Sequence, residues 1–248
     1  MHALPRTSAH TCAVRCPDRR AAVDARRLPR SAWDLPDPAL APAGEDLIGV
    51  GADLAPSTVM AAYARGLFPM DVGGDGQLGW WSPDPRGVLP LDRLHVSRSL
   101  RVASRRFQTT IDMSFGEVIA ACASQRRSHG WITPAFQAAY GDLHALGIAH
   151  SVEVWRDSEL VGGLYGVEIG GLFAGESMFH RSRDASKVAL VALVEALGGA
   201  AGAREGRVLD IQWATPHLES LGAIAIGRDD YLRRLGAAVQ CDPVLATD

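Results

Sequence analysis

The chain has 248 residues, of which 47% are hydrophobic and 21% are charged. This composition predicts one large or two small globular domains and argues against disorder of the whole chain. The formal net charge is only −3 at pH 7, so bulk electrostatics do not indicate a nucleic-acid partner. A long apolar run at residues 188–197 is interrupted by Glu195 and is too short for a membrane-spanning helix. We therefore expect a soluble protein.

The first thirty residues are rich in arginine and lack the sustained apolar block of a secretory signal. We predict a disordered tail over residues 1–30. Two of the four cysteines, Cys12 and Cys16, lie in this tail, and no pair has the C-x-x-C spacing of a zinc site. These features favour a reducing, cytoplasmic location and no metal.

Proline and glycine divide residues 31–95 into short elements, which we interpret as a small N-terminal domain. One helix is indicated within it. Asp53 or Ser57 can cap the start of this helix, Pro56 suits its first turn, and Gly66 ends it. The segment WWSPDPR then brings strand-forming residues into a region that otherwise has the composition of a loop.

The pattern changes at residue 96, after which a strand and two helices lead into three short strands joined by turn residues. These strands are HSVEVW, LVGGLYGVEI and GLFAGESMF. A helix, the strand RVLDIQWA, a short helix and a last strand, AIAIGR, follow them.

This order of elements is the one found in folds of the N-acetyltransferase type. We therefore predict an α+β protein whose C-terminal domain, residues 96–240, has a mixed sheet flanked by helices. In that arrangement the strands GLFAGESMF and RVLDIQWA are neighbours, and a substrate cleft opens where they diverge.

Glu176, within the segment GESMFH, places a carboxylate in a strand that otherwise has the composition of a buried one. A buried carboxylate is costly unless it is paired or hydrogen-bonded. Its partner is either a basic residue such as Lys187 or a ligand cation, and the residues alone favour the structural pair.

Asp210 and Gln212 are two positions apart on the strand RVLDIQWA, so their side chains project from the same face. Leu209 and Ile211 project from the other face. This alternation fits a polar pair in a cleft, and a half-buried strand with its outer face in solvent explains it equally well.

Four arginines, Arg98, Arg101, Arg105 and Arg106, lie in the segment SRSLRVASRRF with no acidic residue among them. Such a stripe can neutralise phosphates, although a solvated helix face is the more common reason for this spacing. The paired tryptophans of WWSPDPR offer a similar choice between a stacking surface for a nucleobase and a hydrophobic core.

Taken together, these stretches resemble the bacterial leucyl/phenylalanyl-tRNA–protein transferases. The combination of WWSPDPR with GESMF at a later fixed distance is much more specific than either motif alone. The matching segments run in order from about residue 47 to residue 235 and are GADLAPSTVMAAYARGLFP, WWSPDPRGVLP, SRSLR, WITPAFQAAYGDLHALGIAHSVEVW, LVGGLYG, LFAGESMF, ASKVAL and HLESLGA.

The resemblance implies transfer of leucine or phenylalanine, and less well methionine, from aminoacyl-tRNA to the N-terminal Arg or Lys of a protein, which marks that protein for degradation. The partners implied are therefore aminoacyl-tRNA and an acceptor protein. The sequence does not fix the oligomeric state, and we favour a monomer. The aminoacyl ester is already activated, so no cofactor, metal or covalent intermediate is expected. By resemblance, Glu176 borders the cleft, and an amine or a cationic Arg or Lys side chain is its counter-charge.

The resemblance also implies roles for individual residues. Asp210 and Gln212 match the family's proposed catalytic pair, in which the carboxylate polarises the amide and the amide oxygen accepts a hydrogen bond from the attacking amine. Residues implied in binding are Leu164, Phe173, Met178, Leu190 and Leu209 in an apolar side-chain pocket, Tyr63, Trp131 and Tyr140 around the cleft, and Arg98, Arg105 and Arg106 on the tRNA acceptor stem.

One departure from the family pattern bears on binding: Met70 stands where a tryptophan that stacks near the terminal adenosine is usual, which implies weaker stacking. Two alternatives stay open. A CoA-dependent N-acyltransferase would share the fold, but FHRSRDASK lacks the glycine-rich turn that holds a pyrophosphate. A non-catalytic tRNA-binding module would bind tRNA without forming a product.

Overall fold

The computed structural model of the chain describes residues 30–73, 76–124 and 131–245, so the tail predicted for residues 1–30 lies outside the described part except for Arg30. The helices in the described part are α1 Pro56–Ala64, α2 Arg98–Ser104, α3 Phe115–Ala123, α4 Pro134–Ala145, α5 Ala185–Ala196, α6 Gly199–Arg204, α7 Pro216–Glu219 and α8 Arg228–Ala238. The strands there are β1 Leu47–Val50, β2 Phe68–Asp71, β3 Leu78–Trp81, β4 Arg86–Val88, β5 Gln108–Ile111, β6 Ala149–Arg156, β7 Glu159–Ile169, β8 Leu172–His180, β9 Val208–Gln212 and β10 Ile224–Ile226.

The strands form two sheets. A small antiparallel sheet has the order β1-β3-β2, and a seven-stranded sheet has the order β10-β4-β9-β8-β7-β6-β5. Within the larger sheet β8 and β9 are parallel, whereas its other neighbouring strands are antiparallel. The prediction of a mixed α and β protein with a mixed sheet is therefore confirmed.

The helix signals of the sequence are confirmed in part. Pro56 begins α1 and Gly66 follows its end with a φ of 86°, a conformation that favours glycine. The expectation that Asp53 or Ser57 caps α1 is wrong, because Ala55 occupies the cap position without a side-chain hydrogen bond. The Asp53 carboxylate instead accepts hydrogen bonds from the Ala55 N–H and the Trp33 indole N–H.

The antiparallel meander predicted from three short strands is present as β6, β7 and β8. Two hydrophobic clusters fix the sheet, one built around α3, α4 and the strand residues that face them, and one around α5. Close packing requires small residues at one point: a Cβ atom on Gly162 of β7 would lie 2.5 Å from the Cβ atom of Ala185 at the start of α5.

Strands β8 and β9 separate close to the predicted site residues Glu176 and Asp210. Their parallel pairing runs through Leu172, Phe173 and Ala174 and ends at the pair Ala174 and Asp210. Beyond this pair β8 continues to His180 along β7, while β9 ends at Gln212. Among the described residues, no helix is long and apolar enough to cross a membrane.

Candidate active site

The cleft expected between β8 and β9 is present as a cavity of about 390 Å³. Its walls come from β2, β8 and β9, from the buried face of α5, and from the segment that leads into α7. The lining residues are Phe68, Pro69, Met70, Trp131, Leu164, Tyr165, Gly175, Glu176, Ser177, Met178, Leu190, Leu193, Leu209, Ile211, Gln212, Trp213, Thr215 and Leu218.

One part of the cavity is apolar. Leu164, Met178, Leu190 and Leu209, four of the five residues implied in a side-chain pocket, line it. The fifth, Phe173, is fully buried behind this wall in the same hydrophobic cluster and does not line the cavity. Such an arrangement accepts an apolar side chain and selects it by size rather than by hydrogen bonding.

Three buried polar atoms in the cavity wall have no hydrogen-bond partner within the described structure. They are Oε1 of Glu176, Oγ of Ser177 and Nε2 of Gln212. A buried polar atom without a partner costs roughly 1 to 3 kcal/mol, so it is rare unless a ligand or water completes it. The three residues line the cavity, and their unpartnered atoms are an acceptor, a hydroxyl and an amide donor.

Two tyrosines beneath the cavity hold Glu176. The Tyr140 hydroxyl donates to Oε2 of Glu176 at 3.1 Å, and the hydroxyls of Tyr140 and Tyr63 lie 2.6 Å apart. Both tyrosines are buried, so they support the carboxylate rather than line the cavity. Burial raises the pKa of Glu176 to about 7, although the hydroxyls favour its ionised form. The alternative partner Lys187 forms its ion pair with Asp184 instead, at 3.2 Å.

Asp210 is fully buried and its carboxylate is saturated with donors. Oδ1 accepts from Nε of Arg86 and from the main-chain N–H of Gln212, both at 2.9 Å. Oδ2 accepts from Nη2 of Arg86 at 2.6 Å and from the Tyr231 hydroxyl at 2.8 Å. The contact between Asp210 and Gln212 is therefore made through the main chain, and Gln212 is one of the residues that line the cavity.

Gln212 occupies a tight turn at the end of β9. Its φ is 57°, and the N–H of Trp213 donates to the carbonyl of Ile211 at 2.7 Å, which is the hydrogen bond of a γ-turn. A residue other than glycine is strained in this backbone conformation, so the surrounding structure must hold it there. Gly87 provides room for the turn, because a Cβ atom there would lie 2.5 Å from the main-chain nitrogen of Ala214.

The mouth of the cavity is aromatic. Trp131 packs edge-to-face on Phe136, with ring centroids 5.5 Å apart, and Trp213 packs edge-to-face on Phe68 at 5.3 Å. Met70 lines the same cavity and has no aromatic ring. No group of three or more side chains with metal-binding chemistry lies together in the described parts of the chain.

Comparison with known proteins identifies the family. A model of the leucyl/phenylalanyl-tRNA protein transferase family matches residues 88–236, and a model of the N-terminal domain of these proteins matches residues 52–84. The chain belongs to the leucyl/phenylalanyl-tRNA protein transferase family.

Two named relatives show how far the similarity extends. The leucyl/phenylalanyl-tRNA–protein transferase of Herpetosiphon aurantiacus is 51% identical over 193 residues, which cover 76% of this chain and 96% of that protein. The corresponding protein of Shigella dysenteriae is 49% identical over 191 residues, which cover 76% of this chain and 80% of that protein.

In this transferase-family chain the arginine stripe lies on and after α2. Arg98 and Arg106 border a shallow surface depression together with Val102, and Arg105 follows the last residue of the helix. All three arginines are exposed, and none lines the cavity.

The segment WWSPDPR ends in a residue whose importance the sequence alone did not reveal. Arg86 is fully buried, forms a two-point ion pair with Asp210, and lies 4.9 Å and 4.5 Å from the ring centroids of Phe68 and Tyr231. The partners in the ion pair are 124 positions apart. The only sequence signal was an arginine placed between a proline and a glycine inside an apolar stretch.

Proposed function

We propose that this protein transfers leucine or phenylalanine, and less efficiently methionine, from aminoacyl-tRNA to the N-terminal Arg or Lys of an acceptor protein. The observation that carries the proposal is a cavity with an apolar end and three unpartnered polar atoms in a chain of the transferase family. An aminoacyl group has the matching composition: an apolar side chain joined to an amine and an ester.

The apolar end receives the transferred side chain. Leu164, Met178, Leu190 and Leu209 offer no hydrogen bond that would separate one apolar side chain from another. Apolar pockets distinguish neighbouring sizes by only roughly 1 to 3 kcal/mol per methylene group. Loose choice among leucine, phenylalanine and methionine follows, with Phe173 supporting the wall from behind.

Glu176 supplies the negative charge of the site. Its unpartnered Oε1 accepts a hydrogen bond from the α-amino group of the donor. A bound cation replaces the water that burial removes from the carboxylate, and it favours the ionised form. Tyr63 and Tyr140 fix the orientation of the carboxylate from below.

The reaction joins the acceptor nitrogen to the ester carbonyl carbon and breaks the bond from that carbon to the ribose oxygen, which takes up the proton that the amine loses. An α-amino group has a pKa near ~8, so part of it is neutral and nucleophilic at neutral pH. The Gln212 amide orients the amine and the developing oxyanion. Asp210 keeps the turn that carries Gln212 in place.

We also propose the domain organisation, the location and the oligomeric state of the protein. We assign residues 31–95 to a small N-terminal domain and residues 96–240 to a domain of the N-acetyltransferase type. The presence of two separate family models, at residues 52–84 and 88–236, supports two domains. The enzyme acts as a cytoplasmic monomer without a cofactor, and its product is a protein marked for degradation.

The donor tRNA lies along the exposed arginines Arg98, Arg105 and Arg106. Replacing all three with alanine should weaken tRNA binding and reduce the slope of its salt dependence by about one unit for each phosphate that is no longer neutralised. Replacing Arg233 and Arg234, which pair with Asp230 on α8, is the matched control. An unchanged slope in the triple variant would remove the arginines from the interface.

The test of the proposed function uses leucyl-tRNA and two peptides that differ only in an N-terminal Arg or Met. Mass spectrometry should find one added leucine on the Arg peptide alone. Addition to neither peptide, with tRNA binding intact, would identify a binding protein. Acylation that requires CoA in place of tRNA would identify an N-acyltransferase of another class.

A further inference from the structure

Trp213 follows the strained turn at Gln212 and has no role in the function proposed above. Gln212 is the last residue of β9, and its φ of 57° is one that a residue other than glycine keeps only where its surroundings hold it. On one side of the turn, the Gln212 N–H donates to Oδ1 of Asp210 at 2.9 Å. On the other side the chain continues directly into Trp213, so the contacts of Trp213 restrain the turn from its second end.

The indole of Trp213 is held by a part of the chain that is distant in sequence. Its ring packs edge-to-face on Phe68 of β2 at 5.3 Å and on Trp81 of β3 at 6.4 Å between centroids. Its Nε1–H donates to Oδ2 of Asp46 at 3.2 Å, across 167 positions of the chain. The small sheet and the residue just before it therefore hold a side chain of the turn that ends β9.

Asp46 is itself firmly fixed. Its Oδ1 accepts from the N–H of Asp84 at 3.0 Å, and its main-chain carbonyl accepts from the N–H of Ser82 at 2.8 Å. The preceding residue, Glu45, is held as well, because its carbonyl accepts from the guanidinium of the buried Arg228. An anchor with its own supporting bonds moves little, so it can fix the orientation of the indole.

Burial in the core does not account for the position of this indole. Trp213 is 37% exposed, whereas Trp80 of β3 is 1% exposed. The hydrophobic contribution to stability rises with the area removed from water, so Trp213 contributes less than a core tryptophan does. Removing the indole should therefore disturb the turn without unfolding the protein.

Resting on the proposed part of Gln212 in the reaction, we infer that Trp213 is a positioning residue for Gln212. The small sheet and Asp46 hold the indole, and the indole holds the strained turn that carries the Gln212 amide. Reacting groups must be held within about 0.5 Å of their productive geometry, and a displacement of about 1 Å can cost on the order of a hundredfold in rate. The small N-terminal sheet then contributes to transfer as well as lining the cavity.

Steady-state kinetics with leucyl-tRNA and an Arg peptide test this role. Trp213→Ala should lower kcat about ten- to a hundredfold and leave both KM values unchanged, because it displaces an amide and removes no contact with either substrate. Trp213→Phe keeps a ring against Phe68 and loses the hydrogen bond to Asp46, so its kcat should lie between those of wild type and Trp213→Ala. Asp46→Ala, which keeps the indole, should also have a smaller effect than Trp213→Ala.

A double-mutant cycle with Gln212→Leu shows whether Trp213 acts through Gln212. In a protein that already carries Gln212→Leu, Trp213→Ala should lower kcat no further, because the group that the indole positions is absent. A merely structural role would lower kcat by the same factor in both backgrounds. Thermal denaturation of each variant shows that it remains folded.

Hydrogen exchange reports on the turn without any transfer. The Trp213 N–H donates to the Ile211 carbonyl at 2.7 Å, and the protection of this amide should be lost in Trp213→Ala, relative to an unstructured peptide of the same sequence. Trp33→Ala is the matched control. Trp33 is 49% exposed and donates its indole N–H to Asp53 at 2.9 Å, but it does not line the cavity, so this variant should keep both the protection and kcat.

Three results would overturn the inference. They are full kcat with retained protection in Trp213→Ala, an equal loss of kcat in the Gln212→Leu background, and a rise in either KM with kcat unchanged, which would make the indole a substrate contact. The proposed function fails separately, if wild type adds no leucine to the Arg peptide. Exchange at position 213 then still decides the inference: lost protection leaves the hold of Trp213 on the turn standing, and retained protection removes it.

Discussion

Two carboxylates on neighbouring strands, Asp210 on β9 and Glu176 on β8, have opposite surroundings. Asp210 accepts four hydrogen bonds and faces the buried guanidinium of Arg86. Glu176 accepts a hydrogen bond from Tyr140 at Oε2, Tyr63 also favours its ionised form, and Oε1 has no partner within hydrogen-bond distance in the described structure. A saturated carboxylate has no capacity for a ligand, whereas an unsaturated one does. The contrast separates the scaffold of the site from the surface that binds.

Asp210→Ala should have the largest effect on stability. It leaves the buried charge of Arg86 unpaired, and breaking a buried ion pair in this way costs about 3 to 5 kcal/mol. Chemical denaturation should show this loss in the free energy of unfolding. The exposed ion pairs of Asp230 on α8 provide the control, and Asp230→Ala should leave the transition unchanged. A folded, fully stable Asp210→Ala protein would contradict the scaffold role.

Gln212→Leu should show the reverse pattern. It removes an amide whose Nε2 has no partner, so the free energy of unfolding should be unchanged or rise slightly. Transfer should fall by about a hundred- to a thousandfold, as it does when one group that stabilises developing charge is lost. Steady-state kinetics with leucyl-tRNA and an Arg peptide measure this. Normal kcat in a folded variant would exclude Gln212 from the reaction.

A pH series tests Glu176. Burial raises its pKa to about 7, so the folded protein holds the proton more strongly than the unfolded chain does. The contribution to stability is therefore complete below about 4.5 and is lost as pH rises to about 7, by up to ~3 kcal/mol. Transfer should increase over the same interval as the carboxylate ionises.

Glu176→Gln separates this residue from the other titrating groups. It keeps an acceptor for Tyr140 and removes the charge, so the difference in unfolding free energy between the two proteins should vary with pH between about 4.5 and 7. The variant should also have a lower rate of transfer at pH 8. A difference that does not depend on pH would mean that Glu176 is ionised throughout.

Gly87→Ala should lower the free energy of unfolding by less than Asp210→Ala does. The added Cβ atom meets main-chain atoms of Ala214 and Trp213 at 2.5 and 2.6 Å, and overpacking of this kind costs about 1 to 3 kcal/mol. Because the displaced segment carries Gln212, transfer should fall as well. Gly236→Ala in α8, where no atom lies within 4 Å of the new Cβ, should be neutral or stabilising by about 1 kcal/mol.

Local patterns predicted much of the fold. Three short runs of strand-forming residues joined by turn residues predicted β6, β7 and β8, and two helices were predicted before them, where α3 and α4 lie. Helix α8 was not predicted, because Gly227 provides no side-chain cap and the helix is strongly charged. The buried residues Tyr231, Leu235 and Ala238 of α8 follow a helical spacing, so the signal was present and was overlooked.

The sequence indicates which residues belong to the candidate site better than it indicates how they contact one another. The positions of Glu176, Gln212 and the apolar wall could be anticipated from strand pairing and from family resemblance. The ion pair between Arg86 and Asp210 could not, because 124 residues separate its members and no local pattern links them. The γ-turn at Gln212 was hidden for the same reason, since Gly87, on another strand, makes room for it.

The most direct test of the account is a crystal structure with a hydrolysis-resistant amide analogue of leucyl-adenosine. The account predicts that the leucine side chain contacts Leu164, Met178, Leu190 and Leu209, and that its amine donates to Oε1 of Glu176. It also predicts an unchanged cluster of Asp210 and Arg86. An analogue bound outside the cavity, or one that leaves Oε1 of Glu176 without a partner, would contradict the account.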